Sequence, residues 1–253
     1  MGSLVSKKAL VTGGEQGIGR ATVEELLRNG CDVFVHYFAG EDLCREIVQY
    51  ADSLGRKCNY AQADLTVEDQ AKDLVQKAIQ FLGGLDVLIN NVGGLVERRT
   101  IGEIDQAFWQ KVFDLNSTSM MYVTREAVPS LEKAGQSSIV NLASLAGRKG
   151  GHPGSLAYST NKGAVLTWTR SLSTELAEKG IRVNAVAPGL ILGTKFHSTF
   201  TTKKSADETI KGIPLGRAGN PDDVARAVVY LASEYDGFIT GATLDINGGV
   251  YCA

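Results

Sequence analysis

No run of this sequence approaches the roughly 20 consecutive apolar residues that a membrane-crossing helix needs. The opening MGSLVSKKAL also lacks the apolar core of a signal peptide. Neither sign of charge is in surplus: 26 Lys and Arg against 28 Asp and Glu leave a net charge of −2. Nothing therefore pulls the whole molecule toward nucleic acid or an anionic membrane, and any basic site must be local. Cysteine is scarce. Cys31, Cys44, Cys58 and Cys252 form no C-x-x-C pair and no metal-ligand spacing with the three histidines, so no metal is expected. Five prolines, no internal repeat and no linker in 253 residues leave one domain, 1–253, long enough for a single large core. The expectation is a soluble, cytoplasmic protein with neither a nucleic-acid nor a membrane partner. The opening MGSLVS fits an acylation pattern and Asn116-Ser117-Thr118 a glycosylation pattern, but patterns this short match often by chance and are discounted.

What is present is alternation. Apolar, β-branched runs recur at KALVT (8–12), DVFVHY (32–37), LDVLIN (85–90), SIVNLA (138–143), RVNAVA (182–187) and ATLDI (242–246). Between them lie segments of helical period. In TVEDQAKDLVQKAIQFLGG, Val67, Ala71, Leu74, Val75, Ala78, Ile79 and Leu82 fall at steps of three and four, with Thr66 as the expected N-cap and Gly83 as the stop. Strands apolar on both faces alternating with amphipathic helices predict a doubly wound α/β fold, a parallel sheet with helices on both faces. The one long irregular stretch, about residues 189–213, is the candidate substrate loop.

LVTGGEQGIGR (10–20) follows the first strand and opens a helix. Glycines at 13, 14, 17 and 19 permit a tight turn and let backbone amides approach a pyrophosphate at the positive end of the helix. In dinucleotide folds an acid at the end of the second strand binds the adenosine ribose, whereas an arginine there takes a 2′-phosphate. HYFAGED offers neither at His36, Tyr37 or Phe38. Glu15, inside the turn, would repel a 2′-phosphate, so NAD(H) is favoured over NADP(H).

Tyr158 and Lys162 stand four apart, on one face of a helix. A free phenol, with pKa about 10, is a poor acid-base group near neutrality. An ammonium within roughly 4 to 5 Å at an effective dielectric near 20 stabilises the phenolate by about 3 to 4 kcal/mol, which would bring Tyr158 to about 7 to 8.

In chain order come the glycine turn, NNVG (90–93), Asn116 in FDLNSTS, Ser144 in NLASLAG, Tyr158 with Lys162, APG (187–189) and LDINGG. On these motifs nearly the whole chain resembles the short-chain dehydrogenase/reductases, with their Rossmann-like fold. The resemblance implies that Tyr158 gives the proton in reduction and that Ser144 hydrogen-bonds the substrate oxygen. It implies that Lys162 also holds the nicotinamide ribose and that Asn116 helps seat a water in the proton relay. Implied cofactor contacts are Gly13, Glu15, Gln16, Gly17, Ile18 and Gly19, then Tyr37, Asp64, Leu65, Asn90, Val92 and Gly93, then Pro188, Gly189, Ile191 and Thr194, with Tyr158 and Lys162. Val92 replaces the family's usual alanine, and Thr194 falls one residue later than the family's nicotinamide-contacting threonine. A homotetramer is the family's usual assembly.

For the substrate, GGLVERR, GRKGGH and GLILGTKFHSTFTTKK are expected at the carboxyl ends of strands four to six and carry a basic surplus against the single acid Glu97. An anionic carbonyl compound follows, with Arg98, Arg148, His152, Lys195 and His197 as contacts beside Ser144 and Tyr158. NNVGGLVERRTIGEID, TKFH and LDINGGVY also resemble reductases of alginate-derived keto-uronates, which make 2-keto-3-deoxy-gluconate. The alternative is a 3-oxoacyl-[acyl-carrier-protein] reductase, although such enzymes usually carry arginine where this chain has Gln16. A non-catalytic dinucleotide sensor is disfavoured, since a sensor needs neither the acid nor its cation.

Overall fold

The computed structural model describes residues 4–233 and 237–252. Gly2 of the discounted acylation pattern lies outside the described residues. Among the described residues, seven strands form one parallel sheet: β1 (Lys8–Val11), β2 (Asp32–Tyr37), β3 (Cys58–Gln62), β4 (Val87–Asn90), β5 (Ser137–Leu142), β6 (Ile181–Pro188) and β7 (Thr243–Ile246). Their spatial order is β3-β2-β1-β4-β5-β6-β7. Every pairing is parallel.

The helices are α1 (Gly17–Arg28), α2 (Glu41–Ser53), α3 (Glu68–Leu82), α4 (Gln106–Phe113), α5 (Ser119–Ala134), α6 (Leu145–Lys149), α7 (Leu156–Leu176), α8 (Lys195–Phe200), α9 (Lys203–Lys211) and α10 (Pro221–Ala232). One core packs α1, α2 and α10 on one face, through Val23, Leu27, Ile47 and Val228. The other packs α3, α5 and α7 on the opposite face, through Leu74, Leu131 and Leu172. Burial on both faces explains why β1 and β4 are mostly apolar, while β5 is buried throughout yet carries Ser137, Ser138 and Asn141.

The sheet order reverses between β1 and β4, which opens a crevice at their carboxyl ends. In α3 the expected glycine stop is present, Gly83 at φ +71°. Its N-cap is Val67 rather than Thr66, because the Thr66 hydroxyl donates instead to Asp64 Oδ1 at 2.7 Å. The substrate loop is less irregular than its sequence implies, since α8 and α9 occupy most of it.

Candidate active site

The crevice is a cavity of 1560 Å³. Single-ligand pockets run to about 1,000 Å³, so this one has room for a dinucleotide and a second molecule.

At one end is the glycine turn. Gly13 and Gly17 adopt φ +59° and +55°, which side chains disfavour. A Cβ on Gly19 would collide with the carbonyl oxygen of Gly13. No side chain caps α1, whose N-cap is Gln16, so its positive end is presented as bare backbone to the cavity. A Cβ-free cradle at a helix N-terminus fits a pyrophosphate.

The cradle is braced by residues the sequence did not single out. His36 Nδ1 accepts from Gly13 N at 2.9 Å. That places the ring proton on Nε2, which donates to Ala63 O at 3.0 Å. Burial pushes this imidazole down to about 4, so it stays neutral at physiological pH. Asn91 Nδ2 donates to Thr12 O at 3.0 Å and Gly13 O at 2.8 Å, tying the β1 turn to the β4 turn across the switch point.

Gly13, Glu15, Gln16, Gly17, Ile18, Gly19, Asp64, Leu65, Val92, Gly93, Pro188, Gly189, Ile191 and Thr194 all line the cavity. Two expected contacts do not. Tyr37 turns into the core against Tyr60, with ring centroids 5.7 Å apart, and His36 and Phe38 take its place on the wall because successive strand residues point to opposite faces. Asn90 is likewise buried, donating to Thr124 Oγ1 at 3.0 Å and Asn141 Oδ1 at 2.9 Å; its neighbour Asn91 faces the cavity. Glu15 is 5% exposed and its Oε2 has no hydrogen-bond partner. Burial raises its pKa, and hydrogen bonds and Lys195 oppose the shift.

Deeper in the crevice, Ser144 follows β5 and caps α6, its Oγ accepting from Ala146 N at 3.1 Å. The same side chain lies near enough to the Tyr158 phenol to lower its pKa. Tyr158 and Lys162 sit one turn apart on α7, and Nζ lies 5.8 Å from the phenol centroid. Lys162 is 4% exposed and donates to Leu142 O at 2.6 Å.

The phenol is shifted in the direction opposite to that expected from its spacing to Lys162. Burial pushes Tyr158 above its ordinary value, and the Ser144 hydrogen bond offsets only part of the rise. Burial also pushes Lys162 down to about 8. Desolvation penalises both charged forms, and the ammonium is directed at a carbonyl.

Asn116 lies in a π-helical turn, Asp114–Thr118, of the kind often found at functional sites. Its Nδ2 donates to Gly94 O and Val112 O, both at 2.9 Å, and its Oδ1 accepts from Gly94 N at 2.9 Å. A Cβ on Gly93 would stand 2.6 Å from that oxygen and 2.9 Å from Lys162 Nζ, so only glycine passes between them.

At the open end, Arg98, His152, Lys195 and His197 line the cavity, joined by Lys149. Arg98 donates to Pro153 O and Phe200 O at 3.2 and 3.3 Å, linking two loops across the mouth. Burial and the nearby Arg98 lower the pKa of His197. Phe196 of α8, which sequence reading passed over, packs on Tyr158 with centroids 5.7 Å apart. Arg148 is a correction: it does not line the cavity and is paired with Asp245 at 3.1 Å. Among the described residues no cluster of His, Cys, Asp or Glu is arranged to hold a metal, and no helix is long and apolar enough to cross a membrane.

Sheet order, cradle and cavity together define a Rossmann-like dinucleotide-dependent enzyme. The family described as enoyl-(acyl carrier protein) reductase matches residues 13–251. The 3-oxoacyl-[acyl-carrier-protein] reductase FabG of Chlamydia pneumoniae is 36% identical over 248 residues, 98% of each chain. The uncharacterized oxidoreductase YhxC of Bacillus subtilis is 37% identical, over 97% of this chain and 85% of its own. Among solved structures, the NADH-dependent reductase A1-R′ responsible for alginate metabolism superposes with a TM-score of 0.90 at 32% identity, covering 99% of both chains. A putative short-chain alcohol dehydrogenase from Sinorhizobium meliloti 1021 gives 0.92 at 30%, covering 98% of this chain and 97% of that one. The chain belongs to the short-chain dehydrogenase/reductase family and is an oxidoreductase that uses a nicotinamide dinucleotide.

Proposed function

We propose that this protein is an NADH-preferring reductase of a small anionic carbonyl compound. The class is that of 4-deoxy-L-erythro-5-hexoseulose uronate, the alginate-derived keto-uronate, with 2-keto-3-deoxy-gluconate as product. One observation carries the substrate class: Arg98, Lys149 and Lys195 line the same cavity as Tyr158. The acids there are engaged close by, Asp114 with Gln110 and Thr118 and Glu208 with Lys211. A carboxylate entering this end meets net positive charge. Likeness to a reductase responsible for alginate metabolism supports the same reading.

A reduced nicotinamide dinucleotide, held by the glycine turn and by Lys162, would supply the hydride for the carbonyl carbon. As charge develops on the substrate oxygen, Tyr158 Oη transfers its proton there and the Ser144 hydroxyl donates a hydrogen bond to the same atom. A phenol whose pKa is raised by burial is fully protonated at neutral pH, which suits an acid working in the reductive direction. Lys162 holds its ammonium beside the phenol and the ribose position. Asn116 fixes Gly94, and through it the Gly93 backbone that Lys162 passes. Oxidation runs these proton steps in reverse.

NADH preference rests on Glu15, whose largely buried carboxylate belongs to a residue lining the cradle. A ribose hydroxyl can donate to it, whereas a 2′-phosphate would face like charge with little solvent screening. Glu15→Ser is expected to raise NADPH affinity relative to NADH by about tenfold, the equivalent of one pKa unit of interaction. Fluorescence titration of both reduced dinucleotides measures this, and an unchanged ratio would refute the role.

A second reading, a 3-oxoacyl-[acyl-carrier-protein] reductase, is favoured by the identity to the Chlamydia enzyme over nearly both whole chains. The discriminating assay offers the keto-uronate and an acetoacetyl thioester, each with NADH and NADPH, and follows reduced-nicotinamide absorbance. Turnover of the keto-uronate with NADH is the expected result. Turnover of the thioester alone would make the basic rim a carrier-protein surface and overturn the proposal.

A further inference from the structure

Helix α6 presents a physical problem. It has five residues, Leu145–Lys149, far fewer than an isolated helix needs to persist in water. Yet its N-cap is Ser144, which lines the cavity beside Tyr158 and lowers the pKa of that phenol. Something outside α6 must hold it in place.

Two contacts do so from opposite sides. On the α7 side, Gly147 lies against backbone: a Cβ there would stand 2.5 Å from the Lys162 carbonyl carbon and 2.7 Å from Gly163 N. On the sheet side, Arg148 reaches the edge strand β7, where its Nε donates to Asp245 Oδ1 at 3.1 Å and its Nη2 to Thr243 O at 3.2 Å. The pair is largely sheltered, with side chains 15% and 17% exposed, and Tyr251 lies alongside with its ring centroid 6.0 Å from Cζ. A sheltered, charge-assisted pair holds geometry better than a surface one, and removing one partner strands the other.

We infer that Arg148 and Asp245 are positioning residues, a clamp that fixes α6 to β7 and thereby sets the place of the Ser144 hydroxyl relative to Tyr158. Arg148 touches neither the cavity nor the reacting atoms, so it acts only through Ser144. The inference rests on the proton-transfer reading above for its consequence in turnover, but not for its structural part.

The test uses the full-length protein with Arg148→Met, Arg148→Lys, Asp245→Asn and the Arg148→Met/Asp245→Asn double variant, and Ser144→Ala as reference. Amide hydrogen exchange across 143–149 reads the clamp directly, without substrate or cofactor. NADH affinity by fluorescence and turnover of the keto-uronate with NADH read its effect.

Arg148→Met is expected to speed exchange of this segment by about tenfold or more, as local opening becomes easier. It should lower kcat by about tenfold, toward the Ser144→Ala level, since small misplacements of a reacting group cost this much or more. NADH affinity stays within about twofold of the parent, because the cradle lies on other elements. Arg148→Lys recovers part of the loss, and the double variant is no worse than the more affected single one, as for two members of one pair. Exchange at the parental rate, faster exchange with parental kcat, or a matching loss of NADH affinity would each overturn the clamp. Full turnover in Ser144→Ala would instead defeat the proton-transfer reading, and exchange would still decide the clamp.

Discussion

Replacing Tyr158 by Phe is expected to lower kcat by about a thousandfold, within the range that a positioned general acid contributes, while NADH affinity stays within about twofold. The substitution removes one oxygen and keeps the ring. The ring packs on Phe196, so packing survives and the loss is that of the proton donor. It also removes the hydroxyl that Ser144 meets, but Ser144 keeps its bond from Ala146 N and α6 keeps its cap. Single-turnover rates with saturating NADH, alongside fluorescence titration, separate the two effects. Turnover within tenfold of the parent would remove Tyr158 from the role.

Lys162→Met should instead damage binding and rate together. Methionine nearly matches the volume of lysine, and Lys162 Nζ lies between Leu142 O and the Gly93 backbone. Taking the ammonium away leaves the Leu142 carbonyl without this donor, at a cost of about 1 to 3 kcal/mol. Against that, the parent carries a desolvated charge whose pKa burial has pushed down to about 8.

The sign of the pH effect follows. Between about 8 and the ordinary lysine value near 10.4, the unfolded chain holds the proton more tightly than the folded one, so parental stability rises with pH across that window. Below it, the full burial penalty applies. The two contributions oppose each other at neutrality, and the melting temperature of Lys162→Met stays close to the parent's at pH 7, then falls behind it as pH rises from 8 to 10.

The functional effect is larger. NADH affinity is expected to weaken by about tenfold, and kcat to fall by about a hundredfold or more, since one ammonium serves ribose and phenol. The parental kcat/KM for NADH should decline as pH climbs through about 8 and the ammonium discharges, and this limb should vanish in the variant. An intact limb in Lys162→Met would assign it to another group; an unchanged NADH affinity would show that the ribose contact is wrong.

Much of the site is written locally. The glycine turn follows a strand and opens a helix along a backbone path that its glycines permit, and Gly13, Gly17 and Gly19 are used as their positions imply. Helix α3 follows the three-and-four step of its apolar residues down to the Gly83 stop. Tyr158 and Lys162 share a face because four residues are close to one turn. Strand β3 is harder to read: CNYAQ has a single buried residue, as an edge strand does, and so carries little of the apolar signal that marks β1 or β4.

Sequence by itself therefore determined the doubly wound fold class, the cradle, and the order of the serine, tyrosine and lysine, because each is encoded in spacing over a few residues. Tertiary structure alone decided which neighbour faces the crevice: His36 and Phe38 rather than Tyr37, Asn91 rather than Asn90, since a one-residue step along a strand reverses the face. It decided that Arg148 serves the scaffold, because its partner Asp245 lies 97 residues away along the chain. It also decided the state of the phenol, where burial outweighs the hydrogen bond to Ser144. Periodicity is a property of neighbours in the chain, whereas desolvation and charge pairing are properties of neighbours in space.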